Sequence, residues 1–259
     1  IGEADRSRDI RGVTPLIAPR TDFKVLASSD DWLVVDKPAP LIVHPTNDRP
    51  ERTLLGEMQA RWPGEEFFII NRLDRETSGC VLIARTRESA GALGKMMMRR
   101  EIQKSYRAIV DGWPEWKEKE VDAPLRRKGE VEDSRIWVRQ MVHQEGKKST
   151  TKFVIEEIFS RLGEKFSVLN CEPVTGRTHQ IRVHLEHLGH PIVGDKIYGG
   201  DGSSYLEFVE NGWSPALEKK LLLDRQALHG SGMSFTWKNE VVEVSSGWPR
   251  ELADFRVGE

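Results

Sequence analysis

The chain has 259 residues, 38% of them hydrophobic and 31% charged, with a formal net charge of −2. This balance fits a folded globular protein and argues against a disordered one. No apolar run reaches the roughly 18–20 residues that a membrane-spanning helix needs, and the net charge alone argues mildly against a nucleic-acid partner.

Residues 1–22 read as an irregular arm, and their opening, "IGEADRSRDIRG", lacks the apolar stretch of a signal peptide. "WLVVDKPAPLIVHP" (32–45) suggests two short strands broken at Lys37-Pro38. "TLLGEMQARW" (53–62) places Leu54, Leu55, Met58 and Trp62 on one helical stripe. "FFII" (67–70) and "CVLIA" (80–84) read as short buried strands, with Arg72, Asp74, Arg75 and Glu76 between them. Thr86 can cap a helix running to about Arg100, with Ala90, Leu93, Met96 and Met97 facing inward.

"KSYRAIVDG" (104–112), "TKFVIEEI" (151–158) and "KFSVLNC" (165–171) alternate as strands do. "THQIRVHLEHLG" (178–189) predicts a helix capped by Thr178, with Ile181, Leu185 and Leu188 as its apolar stripe and Gly189 at its end. "MSFTW-KN-EVVEV" (233–244) predicts a hairpin. Strands outnumber helices and few βαβ alternations occur, so the expected class is α+β with a mixed, mainly antiparallel sheet and flanking helices.

Charge is unevenly spread. Residues 72–107 carry nine Lys/Arg against four Asp/Glu, whereas 201–259 carry six against ten. A one-sided field of this kind could attract a polyanion, and a solvated helix face explains it equally well. The two cysteines, Cys80 and Cys171, each lie in an apolar run and read as buried free thiols, which makes a reducing, cytoplasmic compartment the expectation.

Three clusters could carry chemistry. Asp74 sits in a polar loop between two expected core strands, a place where reactive groups are often presented. Arg72 and Arg75 could keep its carboxylate ionised, Thr77 and Ser78 could donate to it, and Gly79 could let a ligand approach. By spacing alone, a surface salt bridge in a turn accounts for the same residues better. The second cluster, "TGRTHQIRVHLEHLGHPIVGD" (175–195), holds His179, His184, His187 and His190. Their helical spacing does not converge, and no H-E-x-x-H pattern or suitably placed cysteine appears, so no metal site is expected. Arg177 and Arg182 are more informative, because Arg182 lies beside the apolar face and can reach a carboxylate or phosphate. In the third cluster, Lys104 and Tyr106 share one strand face, an arrangement suited to a stacked base with its phosphates held. An ordinary amphipathic strand explains that spacing too. No Walker loop, G-x-G-x-x-G, G-x-S-x-G or C-x-x-C occurs.

Taken together, the clusters resemble the RluA-type pseudouridine synthases. "NRLDRETSGCVLIART" (71–86) is similar to their signature, His-Arg-Leu-Asp, two variable residues, then Thr-Ser-Gly. "VVDKPAPLIVHP", "KSYRAIVDG", "GRTHQIRVHLEHLGHPIVGDKIYG" and "RQALHGSGMSF" resemble the segments around it, in the same order, from about Asp31 to about Phe255. The resemblance implies the pseudouridine synthase fold with a central RNA-binding cleft and isomerisation of uridine in structured RNA (rRNA or tRNA), without cofactor or metal. It implies that Asp74 is the catalytic aspartate, that Tyr106 stacks on the base and takes part in proton removal, and that Arg182 pairs with the catalytic carboxylate. Arg72 would handle substrate and base flipping, and Ile181 would pack on the base. Lys104 and Arg177 join them as expected substrate contacts. The departure is Asn71, where the pattern usually has His; a local structural role and an altered RNA contact are both open.

The expected organisation is an N-terminal arm (1–30) and a catalytic domain (31–259), with no N-terminal S4-like domain, acting as a monomer away from membranes. RNA recognition would then fall to loops such as "LRRKGEVEDSR" (125–135) and "GKKSTTK" (146–152). Two other readings use the same residues. One is a nucleosidase or glycosidase, which usually needs a second acid across the bond. The other is a non-catalytic RNA-binding module.

Overall fold

The computed structural model describes residues 17–45 and 52–257, so most of the expected N-terminal arm lies outside the described residues. In chain order the elements are β1 (Lys24–Ser28), β2 (Trp32–Lys37), α1 (Leu54–Arg61), β3 (Phe68–Ile69), β4 (Ser78–Ala84), α2 (Arg87–Arg99), β5 (Gln103–Asp111) and β6 (Glu118–Asp122). They continue with β7 (Leu125–Arg127), β8 (Gln140–Val142), β9 (Thr150–Arg161), β10 (Glu164–Pro173), α3 (Gln180–His187), α4 (Ser203–Asn211), α5 (Pro215–Leu221), β11 (Leu228–Trp237), β12 (Glu240–Ser245) and α6 (Arg250–Val257).

One large sheet organises the fold, in the order β1-β2-β4-β11-β5-β10-β9-β6, with β3 attached to β4 and β12 to β11. Its pairings are antiparallel except at the centre, where β4 and β11 run parallel through Ser78–His229 and Gly79–Gly230. The expected α+β class with a mixed, mainly antiparallel sheet is what the chain forms. All seven residues of β4 are buried, because apolar side chains cover it on both faces. On one face Trp32, Val34, Leu82 and Phe235 pack with Leu93 of α2. On the other, Leu33, Val35, Val81 and Ile83 join Tyr106, Ile109, Val168, Ile181 and Leu185.

Local chemistry explains several boundaries. Thr86 accepts from the Ser89 amide at 3.1 Å, and Ser89 Oγ accepts from the Thr86 amide at 3.3 Å, which fixes the start of α2. Lys238 and Asn239 both take positive φ, 49° and 70°, as a two-residue hairpin turn requires. Beyond Pro38 the expected second strand of 32–45 does not form. Residues 41–43 are instead tied to the start of α1, with Ile42 accepting from Leu54 at 2.8 Å.

Two further local expectations fail. Thr178 does not cap α3: His179 is the residue at that boundary, with φ 58° and no side-chain cap bond. Gly79 does not open space for a ligand, because its φ of 115° and its close approach to the Gly230 backbone serve the parallel β4–β11 crossing.

Candidate active site

The loop between β3 and β4 is held from several sides. Asn71 is buried, and its Oδ1 accepts from the Leu82 amide at 2.7 Å while its Nδ2 donates to the Cys80 carbonyl at 3.4 Å. The Ile70 amide donates to Leu82 O at 3.0 Å, so the Asn71 amide group continues the β3–β4 ladder in place of backbone. Of the two roles open for this residue, these bonds favour the structural one.

Three buried basic side chains pin the following residues. Lys37 Nζ donates to the Pro38, Leu41 and Arg75 carbonyls at 2.9, 2.8 and 3.4 Å. Arg225 Nη1 donates to Glu76 O at 3.0 Å, and Lys196 Nζ reaches both Glu76 oxygens at 2.9 Å. Glu76 is therefore a half-buried anchor, not the surface salt-bridge residue its spacing suggested. Arg75 Nη2 donates to Ile17 O at 3.0 Å, and its Nη1 lies 3.8 Å from Glu76 Oε1. Thr77 Oγ1 accepts from Gln226 at 2.7 Å and Ser78 bonds His229 at 2.9 Å, so neither hydroxyl is committed to Asp74.

This clamp projects the Asp74 carboxylate, whose side chain is 31% exposed, toward α3. Arg182 Nη1 donates to its Oδ2 at 2.8 Å, and His179 Nε2 stands 3.8 Å from the same oxygen. Arg182 itself is fixed by Asp195, which accepts from Nε at 2.6 Å and from Nη2 at 2.9 Å. Asp195 Oδ1 also accepts from the Ile197 and Tyr198 amides at 3.0 Å each. The Tyr198 ring lies 4.9 Å from the guanidinium carbon. The Tyr198 hydroxyl accepts from Gln140 N at 2.9 Å and meets His179 Nδ1 at 2.8 Å. With the hydroxyl donating to Nδ1, a neutral His179 carries its proton on Nε2, facing Asp74.

The electrostatics follow from this arrangement. Burial works against ionisation of Asp74, but the nearby His179 and Arg182, with the Arg182 hydrogen bond, hold its pKa below the ordinary carboxylate value. Burial, reinforced by Arg182, pushes His179 down to about 4, so at neutral pH Arg182 is the lasting positive charge. Burial opposes the charge on Arg182 as well; Asp195 and Asp74 outweigh it and raise its pKa. Burial, then Asp74 and Cys80, raises the Tyr106 phenol, which stays protonated at neutral pH.

The RNA pseudouridylate synthase family matches residues 31–187 of this sequence. The chain belongs to that family. It is 33% identical over 236 residues to ribosomal large subunit pseudouridine synthase D of Xanthomonas campestris pv. campestris, covering 89% of this chain and 67% of the relative. It is 36% identical over 213 residues to ribosomal large subunit pseudouridine synthase C of Escherichia coli (strain K12), covering 82% of this chain and 61% of the relative. The chain thus spans about two thirds or less of the length of such relatives. Among solved structures, human RNA pseudouridylate synthase domain containing 1 superposes with a TM-score of 0.69 at 27% identity, over 88% of this chain and 84% of that one.

Within this family fold, the residues expected at the site fall into three groups. Asp74 and Arg182 are in direct contact, and Tyr106 and Ile181 lie in one buried cluster beside them. For Lys104 and Arg177 the contacts are local: the Lys104 ammonium lies against Gly176, and Arg177 Nε donates to Lys148 O at 3.2 Å. Arg72 is exposed, two residues before Asp74, and pairs with no described side chain. The histidines that invited a metal reading are dispersed. His184 bonds Thr151 and Ala123 O at 2.8 and 3.0 Å, and His190 bonds Asp111 O at 2.8 Å. Among the described residues no cluster of three His, Cys, Asp or Glu could hold a metal ion, and no helix is long and apolar enough to cross a membrane.

Sequence reasoning missed Asp195, Tyr198 and the placement of His179. The signal was present in "GDKIYG" (194–199), whose acid and tyrosine stand thirteen and sixteen residues after Arg182.

Proposed function

We propose that this chain is an RNA pseudouridine synthase, an isomerase that converts uridine in rRNA or tRNA to pseudouridine with Asp74 as its catalytic group. The observation that carries the reading is the Asp74–Arg182 contact: an ionised, partly exposed carboxylate held at 2.8 Å by a guanidinium that is itself clamped by Asp195. Arg182 and the neutral His179 both approach Oδ2 of Asp74. In a site of low dielectric such pre-set charges act more strongly than in water.

The reaction breaks the N1–C1′ bond, turns the uracil, joins C5 to C1′, releases the C5 proton and protonates N1. It needs no redox change, and a carboxylate is the group that acts at the sugar or the base. The target base must leave its stack to be reached. Tyr106 and Ile181 would form the wall on which the flipped base rests, and the protonated phenol of Tyr106 favours stacking over service as a resting base. Arg72, Lys104 and Arg177 would hold phosphates around it. The catalytic unit we assign is 31–259 together with β1, which pairs with β2 in the large sheet, working as a monomer in the cytoplasm. One chain supplies every residue named here, and Cys80 and Cys171 are both buried free thiols.

The test is tritium release from rRNA and tRNA labelled at uridine C5, followed by nucleoside analysis. Release with pseudouridine in the product supports the proposal, free uracil would indicate a nucleosidase, and binding without release would indicate an RNA-binding module.

A further inference from the structure

The segment between β7 and β8 ends in a turn whose tip, Trp137 and Val138, faces solvent. Trp137 is 73% exposed, a large loss of burial for an indole unless something covers it. The tip is nonetheless rigidly mounted. Ile136 on one side is buried with Val183, Ile197 and Tyr198. Arg139 on the other donates to Glu186 at 2.8 Å, to Gly200 O at 3.0 Å and to Asp201 O, and its amide closes the turn on Ile136 O at 3.2 Å. The Arg127 guanidinium stacks on the indole with its carbon 3.7 Å from the ring centroid, while its Nη2 lies 3.2 Å from Glu130. An exposed ring held by two buried anchors and a stacked arginine has lost its freedom before any partner arrives, which lowers the cost of binding one.

We propose that the ring of Trp137 is a stacking platform for an unpaired base of the substrate RNA, outside the pocket that takes the target uridine. This rests on the reading of the chain as an RNA-modifying enzyme. Three observations favour a base as the occupant. The basic side chains around the tip are already paired with acids, Arg126 with Glu145 at 2.6 Å and Lys128 with Glu132 at 2.9 Å, so the open feature is the ring and not a bare cationic patch. The arginine on one side leaves a flat face that a nucleobase matches. The turn is also joined to the site: Gln140, three residues on, donates to Tyr198, whose hydroxyl meets the His179 beside Asp74.

The experiment measures binding of a fluorescein-labelled oligouridylate to the full chain by anisotropy across a salt series. We expect Trp137→Ala to weaken binding about tenfold, as loss of one base stack does, and Trp137→Phe to retain most of the affinity. The slope of log affinity against log salt should stay the same, because no phosphate contact is lost. Unchanged affinity in Trp137→Ala, an equal loss in Trp137→Phe, a reduced salt slope, or no oligouridylate binding by the unsubstituted chain would each overturn the proposal. Tritium release from uridine-labelled RNA reads the isomerase activity separately, so failure of stacking and failure of the enzymatic reading give different results.

Discussion

Asp195 takes two of the three guanidinium nitrogens of Arg182, at 2.6 and 2.9 Å, and only the third reaches Asp74. The buried acid therefore sets where the arginine points, and the arginine sets where the Asp74 carboxylate points. Such a pair is costly to break, since one buried charge is left without its partner. Asp195→Asn keeps the shape but removes the charge. We predict a stability loss of about 3–5 kcal/mol in urea unfolding. We also predict a fall of up to ~100-fold in kcat from misplaced Asp74, read by tritium release.

Tyr198→Phe tests the next link outward. It removes the hydroxyl that fixes His179 Nδ1 and leaves the Gln140 amide without its acceptor. The ring beneath Arg182 remains. The expected result is a loss of ~1–3 kcal/mol in stability and roughly a tenfold drop in kcat. RNA affinity, measured by filter binding, should be unchanged.

Asn71→Ala addresses the position where this sequence departs from its family pattern. The side chain substitutes for backbone in the β3–β4 ladder, so its loss should cost ~1–3 kcal/mol by thermal or urea unfolding. RNA binding by the folded variant should match that of the parent chain, whereas a specific loss of binding would assign Asn71 to the substrate.

Much of this was legible in the sequence, for physical reasons that differ from part to part. The β4 strand, α2 with its Thr86 cap and the Lys238–Asn239 turn declare themselves locally, by apolar runs, capping chemistry and turn chemistry. Asp74 and Arg182 could be paired only through the order of family motifs, since 108 residues separate them and no local rule links them. Asp195 was hidden for a related reason. A buried acid looks like any surface acid in sequence, and only the tertiary fold shows that its partners are Arg182 and two amides. The α3 start departs from expectation: Thr178 is a good cap by type, yet the chain places His179 there in a left-handed conformation, where its ring meets Tyr198. Helices α4, α5 and α6 gave no expectation at all, and the short strands β6, β7 and β8 carry too few residues for a period to register.

Acid sensitivity follows from the buried histidines. Burial pushes His229 and His179 down to about 4. An unfolded histidine titrates near 6.5. Between those values the unfolded chain binds protons that the folded chain refuses. Their contribution to stability is therefore complete above about pH 6.5 and is lost as pH falls toward about 4. Asp111, pushed up to about 6 by burial and Glu164, works in the opposite direction over part of that range. Comparison with His229→Gln isolates the histidine contribution. The stability difference between parent and variant should shrink by ~1–3 kcal/mol between pH 7 and pH 4.5 in urea unfolding. A constant difference would show that His229 does not titrate as described.

Asp74 is proposed to act on uridine while Arg182 holds it. The most direct measurement is nucleoside analysis of rRNA and tRNA after incubation with the parent chain and with Asp74→Asn, alongside RNA binding by both. We predict pseudouridine from the parent, none from Asp74→Asn, and comparable RNA affinity for the two. Pseudouridine formed by Asp74→Asn at the parental rate would contradict it.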